Sequence, residues 1–223
     1  MQQLVCSIIF FLFPLFSFSA VKQPIATNGN YQAIRPVRPL IILDAGHGGL
    51  DKGARIRYPY CEEKKMTLTT TLLTKKYLEK LGYIVSLTRS RDFFVPIKRR
   101  ILVANKTRSE VFVSIHFNSA PSRVARGIEV FYCEGQKQKS IASKKLATEI
   151  LKRSIFCTKT YSRGVKRAKF SVIRETRMPA CLIEGGFLTN PREREFLRQP
   201  QYLEKLAKGI AEGIDRYCKL QKK

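Results

Sequence analysis

The chain has 223 residues, 44% of them hydrophobic, and a formal net charge of +25 from 42 Lys and Arg against 17 Asp and Glu. That is enough apolar material for a real core, and 13 Gly and 10 Pro are too few for a collagen-like or low-complexity chain. The composition excludes a disordered basic tail, a coiled coil and a small disulfide scaffold, and a single long apolar stretch excludes a multi-span membrane protein.

That stretch runs from Leu4 to Ala20. Pro14 interrupts it, and Ser17-Phe18-Ser19 supplies a small-x-small cleavage pattern before the chain turns polar at Lys22. Residues 1–20 read as a signal peptide and 21–38 as a polar lead, so the protein is expected to be exported with no stable membrane anchor. The first residues contain no Lys or Arg, which leaves an uncleaved anchor as the alternative. Cys6 precedes the apolar run, against a lipid-anchored N-terminus. The remaining Cys61, Cys133, Cys157, Cys181 and Cys218 are odd in number and show no CxxC spacing. Zinc knuckles and thioredoxin-like motifs are thereby excluded, while one or two disulfides are permitted after export.

The first strong element is Leu40–Leu43, a continuous apolar run stopped by Asp44-Ala45-Gly46-His47-Gly48-Gly49. Such runs suit strands buried on both faces of a parallel sheet. Met66, Leu73, Tyr77 and Leu81 form a helical stripe, although Thr67, Thr69, Thr70 and Thr71 lower its propensity. A strand is expected over Ile84–Leu87, and Pro96 starts a helix ahead of Ile97, Ile101 and Ala104. Val111–Ile115 and Ile128–Tyr132 follow as strands, then a helix with Ala142, Leu146 and Ile150 on one face. A weak strand is expected at Ser171–Ile173 and a stronger one at Cys181–Ile183. The clearest amphipathic helix, entered through Pro200, carries Leu203, Leu206, Ile210, Ile214 and Tyr217. This alternation predicts one α/β domain over 39–219, with a mainly parallel twisted sheet of about six strands flanked by helices.

The chain has two histidines, and both are placed where open α/β sheets bind ligands, beyond the carboxyl ends of strands. His47 follows the first strand in a Gly-rich turn, and His116 follows Val111–Ile115. Two neutral imidazoles with a carboxylate make a catalytic zinc site that keeps one position for water. Glu62 and Glu63, at the start of the Met66 helix, are the nearest carboxylates in sequence, and both also suit a helix N-terminus. Glu184 lies just past Cys181–Ile183 and before Gly185-Gly186. A carboxylate at the end of a buried strand needs a partner, and a metal-bound water or a buried arginine would serve.

The ordered motifs Ile42–Gly49, Glu63-Lys64 then Leu68, Leu87-Thr88-Arg89, Ser114–Ser119, and Met178-Pro179-Ala180 through Glu184–Asn190 resemble the zinc-dependent N-acetylmuramoyl-L-alanine amidases of the Amidase_3 type. The resemblance covers about residues 39–218. It implies Zn²⁺ as cofactor, His47, Glu63 and His116 as metal ligands, and Glu184 as the catalytic residue. The Glu-Lys pair five residues before a helical Leu implies Glu63 over its neighbour Glu62. Gly185 departs from the family's frequent Thr, and the Asn usual near Thr67 is missing; neither is an implied ligand. The implied substrate is peptidoglycan, with the amide between the N-acetylmuramic acid lactyl group and L-alanine as scissile bond, and the implied location is periplasmic. Asn118 and Arg174 are the expected substrate-binding residues, Arg174 for a free carboxylate of the stem peptide.

A zinc peptidase acting elsewhere in the stem and a non-catalytic cell-wall-binding protein are the rival readings. Nucleic acid, the usual partner of a chain with pI 10.1, is not expected, because export and the lack of an aromatic-basic motif oppose it. Some members of the family carry an added helix that covers the active site. Here the corresponding interval, Cys133 to Lys139, is short and polar, so a minimal catalytic domain that needs no activator is expected, its activity on peptidoglycan falling as salt rises.

Overall fold

In the computed structural model, which describes residues 39–221, the element order is β1 (Leu40–Ala45), β2 (Arg55–Ile56), β3 (Cys61–Glu62), α1 (Glu63–Lys80), β4 (Ile84–Leu87), α2 (Ile97–Asn105), β5 (Val111–Asn118), β6 (Ile128–Tyr132), α3 (Lys137–Thr158), β7 (Ser162–Arg167), α4 (Ser171–Arg174), β8 (Ala180–Phe187), α5 (Pro191–Leu197) and α6 (Pro200–Gln221). The expected signal peptide over 1–20, the lead over 21–38 and Cys6 lie outside the described residues. Six strands form one sheet in the order β4-β1-β5-β8-β6-β7, and β2 pairs with β3 in a short antiparallel hairpin. Every neighbouring pair in the main sheet is parallel except β6 with β8. The chain leaves β1 for β4 on one side and then returns to β5 on the other. A crevice therefore opens above the carboxyl ends of β1 and β5.

Alternation along the strands explains the layers. Ile41, Leu43, Val111, Val113 and Ile115 share a core with Leu78 of α1, Leu146 and Ile150 of α3, and Leu206, Ile210 and Ile214 of α6. Ile42 and Phe112, out of phase by one residue, face a smaller cluster with Ala104 of α2 and Val172 and Ile173 of α4. Strands covered on both faces carry the continuous apolar runs seen in the sequence. All five residues of the expected α6 stripe are buried. Gly209 and Gly213 let α6 approach the α3 backbone: an added Cβ would lie 2.6 Å from Ser154 Cα and 2.4 Å from Ile150 Cα.

Two expectations are corrected. The buried face of α1 is not the Met66, Leu73, Tyr77, Leu81 stripe, since Leu73 and Tyr77 are half-buried and Leu81 is exposed beyond the helix end. Met66 is joined instead by Thr67, Thr70, Thr71, Thr74 and Leu78. The Thr71 and Thr74 hydroxyls donate to the carbonyls of Thr67 and Thr70 at 2.7 and 2.8 Å. Their polar atoms are thus satisfied inside the helix, which makes threonine acceptable in a core-facing position. Ser171–Ile173 is not a strand but the single turn α4. The place beside β6 belongs to β7, whose Ser-Arg-Gly-Val-Lys-Arg sequence has no apolar run because an edge strand is only partly covered. No disulfide joins the five described cysteines.

One buried ion pair ties the two sides of the crevice. Asp44, at 1% exposure, accepts from Arg100 Nη1 at 2.6 Å, from Thr88 Oγ1 at 2.6 Å and from Ser114 Oγ at 2.6 Å. Burial acts to raise its pKa, but the Arg100 guanidinium and the two hydroxyls prevail and hold it below the usual carboxylate range. A depressed folded-state pKa contributes stability that is present above the unfolded value of about 3.9 and disappears as pH falls through the folded value. Asp44→Asn should therefore cost about 3–5 kcal/mol at pH 7, because it strands the buried Arg100 charge. Urea unfolding of both proteins checks this. The gap between them should narrow as pH falls below about 4, and a cost under about 1 kcal/mol at pH 7 would contradict it, that being the scale of an exposed pair.

Candidate metal and catalytic site

His47 lies two residues beyond β1 with φ +60°, a left-handed conformation uncommon for a residue with a Cβ. Side chains from α1, α2 and the segment after β4 hold the turn. Arg89 donates Nε to Ala45 O at 2.9 Å and Nη2 to Gly46 O at 2.7 Å. Arg100 donates Nη2 to His47 O at 2.7 Å, and Thr67 Oγ1 donates to Gly46 O at 2.8 Å. Three consecutive carbonyls are thereby fixed, and the strained turn is over-determined by its surroundings. Gly46 is required by space, since a Cβ there would come within 2.2 Å of His116 Cε1.

Glu63, the first residue of α1, sets its carboxylate between the two imidazoles. Its Oε1 lies 2.9 Å from His47 Nε2 and 3.0 Å from His116 Nδ1. Oε1 also accepts from the Phe117 N–H at 3.1 Å, while Oε2 accepts from the Ala54 N–H at 2.8 Å. The donor atoms of His47, Glu63 and His116 all lie within 4.8 Å of one another. The other His47 nitrogen, Nδ1, is 2.9 Å from Asp51 Oδ2, the carboxylate partner that orients a ligating imidazole. Burial alone lowers the His47 pKa, but Glu63 and Asp51 outweigh it and the imidazole is raised. Burial alone would raise Glu63, yet hydrogen bonds and charge from His116 and His47 hold it well below the usual range. Glu62 turns elsewhere, to the Tyr60 hydroxyl and to Lys52 Nζ at 3.4 Å. The structure thus brings only one of the adjacent glutamates to the histidines.

His116 and Glu184 are register partners on β5 and β8, so their side chains rise side by side from one face of the sheet. Both strands continue further than their apolar runs and carry these residues within them. Glu184 Oε2 is buried with no hydrogen-bond partner. Burial first, and then the negative charges of Glu63 and Glu129, push this carboxyl well above its ordinary value. A cavity of about 850 Å³ stands over the group. Its lining mixes polar side chains, among them Asp51, Asn118 and Ser119, with the apolar Phe94, Ile97 and Phe170.

Of the two expected substrate-binding residues, Asn118 lines the cavity and Arg174 does not. Arg174 lies at the exposed end of α4, pairs with Glu175 Oε1 at 2.7 Å and borders a separate recess of about 270 Å³. Arg174, expected to meet a stem-peptide carboxylate, thus stands on the exposed surface outside the lining of the larger cavity. Asp51, Arg89 and Arg100 are parts of the site that sequence reasoning did not assign. Asp51 is signalled only by its spacing of four from His47, and Arg89 by its place in Leu87-Thr88-Arg89; Arg100, one of several basic residues in α2, has no such mark.

Residues 41–216 match the Amidase_3 family, described as N-acetylmuramoyl-L-alanine amidase. The chain is 33% identical to the N-acetylmuramoyl-L-alanine amidase AmiC of Neisseria meningitidis serogroup B, over 81% of its own length and 53% of that relative. It therefore spans about half of that protein. Among solved structures, the catalytic domain of the amidase CwlV from Bacillus (Paenibacillus) polymyxa var. colistinus is 37% identical with a TM-score of 0.76, covering 81% of this chain and 98% of that one. The CwlD amidase of Clostridioides difficile, solved in complex with the GerS lipoprotein, is 31% identical with a TM-score of 0.77, covering 82% and 100%.

Proposed function

Because the chain belongs to the Amidase_3 family, we propose that it is a zinc hydrolase acting on peptidoglycan outside the cytoplasm, at the amide between the N-acetylmuramic acid lactyl group and L-alanine. The observation that carries this reading is the convergence of His47, Glu63 and His116 at the base of the cavity beside Glu184. Two imidazoles and one carboxylate are the donor set of a catalytic zinc, which needs three protein ligands and an open position. His47 through Nε2, Glu63 and His116 would hold the ion, with Asp51 fixing the His47 ring. Zn²⁺ bound there supplies a water of lowered pKa and polarises the scissile carbonyl.

The remaining work falls to the chain's own groups. Glu184, with a free Oε2 beside His116, accepts the proton of the attacking water and passes it to the leaving amine nitrogen. Asn118 contacts the substrate, and the exposed apolar side chains of Phe94, Ile97 and Phe170 offer it an apolar surface at the cavity. The +25 charge attracts the stem-peptide carboxylates. The connection from β6 to α3 is only the four residues 133–136, shorter than the Cys133–Lys139 interval expected and too short to lay a helix over the cavity. The site is accordingly read as open and active without a partner. Among the described residues no helix is long and apolar enough to cross a membrane.

Mass spectrometry of peptidoglycan digested by the purified protein tests this. Released stem peptides should begin at L-alanine with a free amine, with no second protein added. A chelator should abolish the release, zinc should restore it, and rising salt should slow it. Cleavage inside the stem peptide would make the protein a peptidase instead, and digestion indifferent to chelation would remove the metal. Activity only after a partner is added would overturn the open-site reading.

A further inference from the structure

A second polar row crosses the sheet beside the proposed catalytic residues. Glu129 on β6 is the antiparallel register partner of Glu184 and is 4% exposed. Like charges facing each other on neighbouring strands are unfavourable, so a buried Glu129 needs partners of its own. Its Oε2 accepts from Arg163 Nε at 2.8 Å and from Lys166 Nζ, both on the edge strand β7. Its Oε1 accepts from Asn118 Nδ2 at 2.7 Å. Arg163 is itself braced against the Phe187 ring, 4.8 Å from its centroid.

These contacts decide how the Asn118 amide stands. An ionised carboxylate only accepts, so the nitrogen of Asn118 must face Glu129 and the oxygen must face away. Accordingly, Asn118 Oδ1 accepts from the Ser119 N–H at 2.7 Å. The amide is held at both ends against a flip. One Nδ2 hydrogen is engaged by Glu129, and the second belongs to a side chain that lines the cavity two residues along β5 from His116.

We propose that Glu129, anchored by Arg163 and Lys166, is a positioning residue that orients Asn118 so that its second amide N–H donates to a carbonyl oxygen of the substrate. The proposal rests on the amidase reading and deepens it. It also gives the polar strand β7 a part in the reaction. Neither Arg163 nor Lys166 lines the cavity; they reach the site through Glu129, whose carboxylate bonds Asn118 and also faces Glu184 across the strands.

A double-mutant cycle on the zinc-loaded protein tests it. Asn118→Ala should lower kcat/KM on muropeptides about ten-fold, the size of one hydrogen bond. The loss should appear mainly in KM, because the contact is already present in the bound ground state. Glu129→Ala should raise KM by a similar factor alone and by no further factor once Asn118 is Ala, whereas any effect of its charge on the facing Glu184 falls on kcat. Glu129→Gln, which keeps an oxygen acceptor, should recover part of the activity. Arg163→Ala, further from the cavity and safer for folding, should also matter only while Asn118 is present. Melting temperatures measured alongside separate a structural effect, which would lower stability regardless of residue 118. KM losses that multiply in the double variants, or an unchanged KM in Glu129→Ala and Arg163→Ala, would overturn the proposal. A wild-type protein that leaves peptidoglycan uncut would overturn the amidase reading itself, and the proposal with it.

Discussion

Glu184→Gln should keep the fold and the bound metal while losing at least ~10²-fold in turnover, the usual size of a general-base contribution. The two side chains have nearly the same shape, but an amide cannot take the proton of the attacking water. The surroundings argue that this position is held for chemistry rather than stability. Glu184 Oε2 is buried without a partner, and its carboxyl titrates well above the normal range because of burial and the nearby Glu63 and Glu129. For an acid, a raised folded-state pKa means that ionisation opposes folding at every pH above the unfolded value of about 4.3. Removing the charge relieves that cost. The metal-free Gln variant should therefore be at least as stable as the wild type at neutral pH, by urea unfolding. Low activity combined with intact metal content and undiminished stability is the expected pattern. Near-normal turnover in a metal-replete variant would end the assignment of Glu184, and a variant that unfolds would contradict the account of its burial.

His47→Ala and His116→Ala should each abolish stoichiometric zinc and bring activity to background. Two protein ligands do not retain a catalytic zinc that three hold with one position open. Metal analysis of dialysed protein beside a muropeptide assay reads both effects. The neighbouring glutamates supply an internal control. Glu63→Ala should behave like the histidine variants, because Oε1 sits 2.9 and 3.0 Å from the two imidazoles. Glu62→Ala should keep the metal, since its carboxylate is directed to Tyr60 and Lys52. The opposite result, with zinc lost from the Glu62 variant and kept in the Glu63 variant, would reassign the ligand.

Much of this molecule follows from local sequence. Short, bounded runs such as the apolar Leu40–Leu43 and the mostly apolar Val111–Ile115 suit a strand covered on both faces, and the α6 stripe leaves one choice of buried side. The two histidines declare themselves by rarity and by position at strand ends, and the ordered motifs identify the family. Tertiary structure decided what depends on relief of local cost by distant groups. Thr71 and Thr74 of α1 turn inward with hydroxyls bonded within the helix, where hydropathy alone favours Leu73 and Tyr77. Ser171–Ile173 became a helical turn and the polar Ser162–Arg167 a strand, because an edge strand is stabilised by pairing with β6 rather than by burial. Glu62 and Glu63 are indistinguishable as letters; the path from β3 into α1 turns one to Lys52 and the other to the histidines. Arg174 illustrates the converse, since a basic residue near the Glu184 strand in sequence lies outside the cleft, while Arg89 and Arg100 support the site from within the core. A charge's role depends on which carbonyls and carboxylates surround it, and only the folded chain brings those together.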